Sequence, residues 1–233
     1  MIRDYSDPEL RRLVKKSQIA IIPVGSLEQH GAHLPISTDS DVVTEIAKRV
    51  AKRRNLLLLP TIPYGVSFEH APFFNLSVNA KTLQKLLVEI CLSLGQNKIH
   101  KIIILNGHHG NQKALRGIES IVYKISKGKT RVFAFSYWHF MKKEFDHAGF
   151  VETSLLLAIS NKAKMRLAKK GFTSDKLTSK QRAKIAKLAS THFIKATKTG
   201  VWGDPTKATK KDGQKILSRI VTNIAKTVSK LAY

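Results

Sequence analysis

Only one cysteine, Cys91, occurs in 233 residues, which excludes an intramolecular disulfide and fits a reducing compartment. Long apolar runs are missing as well: no stretch approaches the ~20 residues that a membrane-spanning helix needs. The opening residues, MIRDYSDPELRRLVKKS, are charged throughout and lack the apolar core of a signal peptide. Together these absences predict a soluble, cytoplasmic protein that binds no membrane. Acidic residues are scarce, 16 against 41 Lys and Arg, for a formal net charge of +25. Such an excess attracts anions, from small phosphorylated molecules to nucleic acid. The imbalance is steepest from residue 162 onward, with nineteen basic residues against Asp175, Asp204 and Asp212. Those lysines recur within apolar helical patterns such as KILSRIVTNIAKTVSKL, without interleaved aromatics. They therefore read first as solvated helix faces, with polyanion binding as the alternative.

What is present alternates. Residues 18–25 (QIAIIPVG) form a short β-branched apolar run ended by glycine, a buried strand. Residues 39–54 read as a helix with acids at its start and bases at its end, as the helix dipole prefers. Strands are expected at 56–63, 101–107 and 130–138, and helices at 80–96, 110–126, 151–160 and near 213–231. Basic helical segments lie between the last two helices. Strands alternating with helices of this length predict an α/β fold built on a mostly parallel sheet, in a single domain over 1–233. Loops at 64–79 and 139–150 interrupt the pattern.

In such a sheet the functional site lies beyond the C-terminal strand ends, and three polar clusters fall at strand-to-helix transitions. The first, SLEQHGAHLPISTD, carries Glu28 and His30. Two residues apart, they project to one side of an extended chain, and Asp39 returns at the start of the next helix. Carboxylate, imidazole and carboxylate make an oxygen and nitrogen set suited to Zn, Mn or Fe, and the two oxygens of Asp39 would let it bridge two ions. Asp39 would otherwise be a helix N-cap. The second cluster, LNGHHGNQ, brings His108 and His109; its alternative is a glycine-rich anion loop. The third, FDHAGFVETS, supplies Asp146, His147 and Glu152, or merely caps a helix. Three such clusters converging at one sheet edge favour a metal centre.

These pieces, with PYGVSFEH in the middle and GVWGDPTKAT at 200–209, resemble the creatininase (creatinine amidohydrolase) family and follow its order from residue 23 to 209. The resemblance implies a layered α/β/α domain, a hexameric homo-oligomer, and two divalent metal ions per chain. By position, Glu28 would bind the first ion, His30 the second, Asp39 both, and His108 the first. His147 matches the family's catalytic histidine, with Asp146 or Glu152 orienting it or moving its proton. The implied reaction is hydrolysis of an amide-like C–N bond by a hydroxide held between the ions.

Departures matter too. Creatininase has a glutamate two positions after the histidine matching His108, and here that position is Gly110; Glu152 is the candidate replacement ligand or else a group just outside the ligand set. Creatininase's substrate-enclosing tryptophan, four residues before the matching histidine, is replaced by Lys143, which argues against creatinine. The wall near His70 is altered as well. Substrate contacts are expected from His70, His109 and Trp138. The net charge mildly favours an anionic, phosphate-bearing substrate such as the formylamino-pyrimidine ribotide of the family's deformylases. The family also includes a peptidase acting on a redox-cofactor precursor.

Overall fold

The computed structural model describes residues 1–231 apart from Lys143, Phe145 and Lys176. Four parallel strands, β1 (Ile19–Val24), β2 (Leu57–Leu58), β3 (Lys101–Asn106) and β4 (Arg131–Ser136), form a sheet in the order β2-β1-β3-β4. The central strands β1 and β3 are buried from their second residue onward, which is why they read as unbroken apolar runs rather than as alternating patterns. Beyond the two rungs of β2 the edge continues only as an isolated bridge between Val24 and Ile62. Pro60 and Pro63 have no N–H to extend a ladder, so the strand expected over 56–63 is short.

Helices cover both faces. On one, α3 (Ala80–Gln96) lays Leu83, Leu87, Cys91 and Leu94 over Ala20, Ile22, Ile102 and Ile104, joined by Ile118 and Val122 of α5 (Ile118–Ile125). On the other, Val43, Ile46 and Val50 of α2 (Thr38–Arg54), Leu155 of α6 (Phe150–Ile159), and Leu217, Ile220 and Ile224 of α9 (Lys210–Leu231) pack on Ile21, Ile103 and Leu105. The result is the expected α/β/α layering. Helix α1 (Asp7–Lys16) precedes the sheet, α4 (Gln112–Leu115) follows β3, and α7 (Ser179–Ala189) and α8 (Phe193–Thr197) form a pair near the sheet's C-terminal edge. No helix among the described residues is long and apolar enough to cross a membrane.

Two boundaries differ from expectation. The helix over 110–126 is broken, because Gly117 takes a left-handed conformation (φ 76°) between α4 and α5. Ala114, Leu115, Ile118 and Val122 all enter the same core, so the apolar pattern runs through the break and conceals it. The strand over 130–138 ends at Ser136, and Tyr137–Phe140 turns into a 3-10 helix.

Candidate metal centre

Chain direction around the sheet reverses between β1 and β3: one crossover leads outward to β2, the other to β3 on the opposite side. A crevice opens at such a switch point, and the segments after β1 and β3 carry the first two clusters. Their close approach depends on glycine. A Cβ on Gly25 would lie 2.6 Å from the Ser40 Cα, and one on Gly107 would lie 2.9 Å from the Asp39 carbonyl oxygen. Bare backbone at both strand ends therefore lets the first turn of α2 settle against them, and this places Asp39. Ser37, not Asp39, is the N-cap residue of α2, which leaves the Asp39 carboxylate free to face inward.

Asp39 faces two histidines with different oxygens. Its Oδ1 is 3.2 Å from His30 Nε2 and its Oδ2 is 3.1 Å from His108 Nδ1. Each ring is held from behind: His30 Nδ1 donates to the Glu28 carbonyl oxygen at 3.1 Å, and His108 Nε2 to the Val66 carbonyl oxygen at 2.8 Å. Orientation of a ligating imidazole by its second nitrogen is a regular feature of metal sites. Glu28 Oε2 lies 3.2 Å from His108 Nε2, and Glu152 Oε2 lies 3.4 Å from His30 Nε2. Among the described residues three overlapping groups have donor atoms close enough to hold a cation: Glu28, Asp39 and His108; His30, His147 and Glu152; and Glu28, His70 and His147. Glu28 Oε1, His30 Nε2 and Asp39 Oδ2 are buried without a hydrogen-bond partner. Orphaned polar atoms of this kind are costly unless something else satisfies them, and hard oxygen and imidazole donors fit a divalent transition ion.

Protonation follows the crowding. Burial lifts Glu28 to about 7 despite the neighbouring His108. Burial would also raise Asp39, but the facing His30 and His108 hold it well below the usual carboxylate range. His30 and His108 go the other way from ordinary buried histidines: burial disfavours their charge, yet Asp39 and Glu152 around His30, and Glu28 and Asp39 around His108, raise both well above 6.5. His147 is pushed well below it by burial and the adjacent His30, and His70 falls to about 3 by burial and the adjacent His108. In the metal-free chain, protons on His30 and His108 thus hold the positive charge that the carboxylates demand.

The third cluster joins through α6. Glu152 Oε2 accepts from the Ala148 N–H at 2.7 Å, and the Asp146 carboxylate accepts from the N–H groups of Val151 and Glu152 at 2.8 and 3.3 Å. Asp146 therefore caps the helix that carries Glu152, and burial with the Glu152 charge nearby raises it to about 7. His147 Nε2 is 3.1 Å from the Gln29 carbonyl oxygen and its Nδ1 is 3.8 Å from Glu28 Oε1. His70 Nε2 is 3.2 Å from Glu28 Oε1. A cavity of about 200 Å³ opens over these groups, and His109 lines it. Trp138 does not line it; it is buried and stacks on His109 with ring centroids 6.0 Å apart. Lys143 lies outside the described residues.

Two participants were invisible as single residues in the sequence. Gln29, between the two ligands of its motif, places its amide nitrogen 2.9 Å from His70 Nδ1, 3.2 Å from His147 Nε2 and 3.2 Å from the Gly200 carbonyl oxygen. It ties three distant segments together. Glu69, next to His70 in PYGVSFEH, lines the cavity 3.8 Å from His108 Nε2. Adjacency to a motif residue was the only signal for either.

Gly110 has no room for a side chain. A Cβ there would overlap the Val66 carbonyl oxygen and stand 2.5 Å from His108 Nε2 and 2.7 Å from Glu69 Oε1. Gly110→Glu is therefore expected not to add a ligand but to destabilise by about 1–3 kcal/mol through overpacking. Thermal melting and metal analysis check this: Tm should fall, and metal content should not rise.

The arrangement matches known proteins. The sequence profile described as Creatininase: creatinine amidohydrolase matches residues 3–228. The chain is 32% identical over 224 residues to the mycofactocin precursor peptide peptidase of Mycobacterium ulcerans, covering 90% of this chain and 84% of that one. A shorter similarity, 29% over 112 residues, links 48% of this chain to 43% of the 2-amino-5-formylamino-6-ribosylaminopyrimidin-4(3H)-one 5'-monophosphate deformylase of Methanococcus voltae. The crystal structure of a creatinine amidohydrolase superposes with a TM-score of 0.82 at 22% identity, covering 98% of this chain and 96% of that one. With the profile running through both sheet faces and all three polar clusters, the chain belongs to the creatininase family of amidohydrolases.

Proposed function

We propose that this protein hydrolyses an amide-like C–N bond, in a formamide, a cyclic amide or a peptide, using two divalent ions of Zn, Mn or Fe. The observation that carries this reading is the shared carboxylate of Asp39, each oxygen facing a different histidine, at the centre of a set of buried and partly orphaned donors. Glu28, Asp39 and His108 would hold the first ion, and His30, Asp39 and Glu152 the second. Bound there, the ions would lower the pKa of a coordinated water and would polarise a substrate carbonyl.

The protein's own groups do the rest. Gln29 and Val66 carbonyl oxygens fix the rings of His147 and His108, so the attacking geometry is set before substrate arrives. His147 is kept neutral by burial and the neighbouring His30. With its Nε2 proton donated to the Gln29 carbonyl, it presents Nδ1 as a site that takes a proton and returns it to the leaving nitrogen. Asp146 serves from behind, by anchoring the turn that carries His147 and Glu152.

A homo-oligomer is supported by Tyr64, Phe68, Phe73 and Phe74, exposed within residues 55–80, a stretch without a single Lys or Arg. The test of the activity is metal analysis joined to a screen of formamides, cyclic ureides and short peptides. Two ions per chain with chelator-sensitive turnover of one class is the expected result. A protein that ignores EDTA but binds polyanions in a steeply salt-dependent way would sink it.

A further inference from the structure

The cavity over the metal centre is unlike the rest of the molecule. Among the described residues no Lys or Arg lines it, although the chain contains 41. This is not for want of lysines nearby. Helix α7, SKQRAKIAKLA, carries Lys180, Arg182, Lys184 and Lys187, yet it turns Ala186 and Ala189, with the following Ser190, toward the cavity. Phe193 of α8 completes that wall, packed on His70 and His147 with ring centroids 4.7 Å from each.

Recognition of a phosphate calls for arginine, lysine or a helix N-terminus with spare N–H groups. The helix start at this wall has none to spare, because Asp146 occupies the N–H groups of Val151 and Glu152, and Glu152 that of Ala148. Apart from the ions proposed at its floor, nothing described in the cavity is built to receive an anion.

Two carboxylates there belong to none of the three candidate metal groups: Asp146, which is engaged in capping α6, and Glu69. Glu69 has 16% of its side chain exposed, and its one ion-pair contact among the described residues is with His108, 3.8 Å away. Its Oε1 stands above Gly110, 2.7 Å from where a Cβ would be. A side chain at 110 would have to displace this carboxylate as well as the Val66 carbonyl, so glycine there leaves Glu69 its place. A carboxylate beside an aromatic wall is a receptor for a positively charged nitrogen, through a charge-assisted hydrogen bond and a cation–π contact.

We propose that Glu69 makes the cavity selective for amides that carry a cationic nitrogen, an ammonium or amidinium, near the scissile bond, and against phosphorylated ones. This rests on the amidohydrolase reading and narrows its substrate class. The cavity, at about 200 Å³, is below the roughly 300–1,000 Å³ of pockets that enclose drug-sized ligands. It suits the reacting end of a substrate, the scissile amide and one charged neighbour.

The experiment compares glycinamide, N-acetylglycinamide and phosphoglycolamide on the full-length, metal-loaded protein, by binding and by turnover, for wild type and Glu69→Gln. The expected result is that wild type binds glycinamide about ten- to a hundredfold tighter than its neutral N-acetyl form, the range of a charged hydrogen bond. Glu69→Gln should erase that ratio through Kd and KM, with metal content unchanged. Tighter binding of phosphoglycolamide overturns the proposal. So does an equal loss of kcat on every substrate, which would make Glu69 a proton carrier, or a loss of metal, which would make it a ligand. Because binding is read separately from turnover, a protein that prefers glycinamide but cleaves nothing keeps the charge selectivity and refutes only the hydrolase reading.

Discussion

Asp39→Ala should strip both ions from the protein and lower turnover by about 10³-fold or more. The size follows from the charge stabilisation a catalytic ion supplies, several kcal/mol, at one factor of ten per ~1.4 kcal/mol. Among the described residues no other faces both His30 and His108 at 3.1–3.2 Å with separate oxygens, so none of them can take over the bridge. Asp39→Asn controls for fold, since it keeps the shape and loses the charge. Metal analysis with steady-state kinetics reads the outcome, and a variant that retains two ions and full activity would refute the bridging role.

Metal loading should raise thermal stability more than any substitution discussed above. An ion at a thousand times its Kd stabilises the folded state by about 4 kcal/mol per site. For a chain of this size that is roughly 8–16 °C in Tm, at about 2–4 °C per kcal/mol. The metal-free protein has a pH dependence of definite sign. His30 and His108 are raised well above 6.5 by their carboxylate neighbours, and burial raises Glu28 and Asp146 to about 7. A group whose folded pKa is raised holds more protons folded than unfolded, so its stability contribution is lost as pH rises toward that folded value. His70 and His147, depressed by burial, act oppositely, but only below the ordinary histidine value of about 6.5. Above it only the raised groups remain in play. Tm of the chelated protein should therefore fall from pH 6.5 to 8.5. The loaded protein should not follow, because ions replace those protons. Parallel melts with and without chelator decide it, and a chelated protein whose Tm rises over that window contradicts the assigned protonation.

Much of this centre could be read from residue order because its chemistry is local. Glu28 and His30 alternate along an extended segment, and Asp39 stands in the first turn of the following helix, so their convergence needs only the βα unit they belong to. His108 becomes part of it once β3 is placed beside β1. Glu152 is harder, since its approach to His30 depends on the path of residues 139–150 and on the Asp146 cap. Glu69 and Gln29 lie beyond reach of pattern reading, for their roles are defined by segments more than thirty residues away. The broken helix after β3 shows the opposite case, where local pattern misleads because both pieces serve one core.

The alanine face of α7 has a consequence for how substrate arrives. A protein of net charge +25 surrounds itself with a positive field that repels cations from a distance, fading over about 10 Å at 0.1 M salt. The cavity that Ala186 and Ala189 keep free of lysine and arginine is lined by carboxylates and histidines in equal number, so the positive exterior does not continue into it. Capture of the proposed cationic substrate would then be slow to begin, and ionic strength, by screening the exterior more than the interior, would ease the entry.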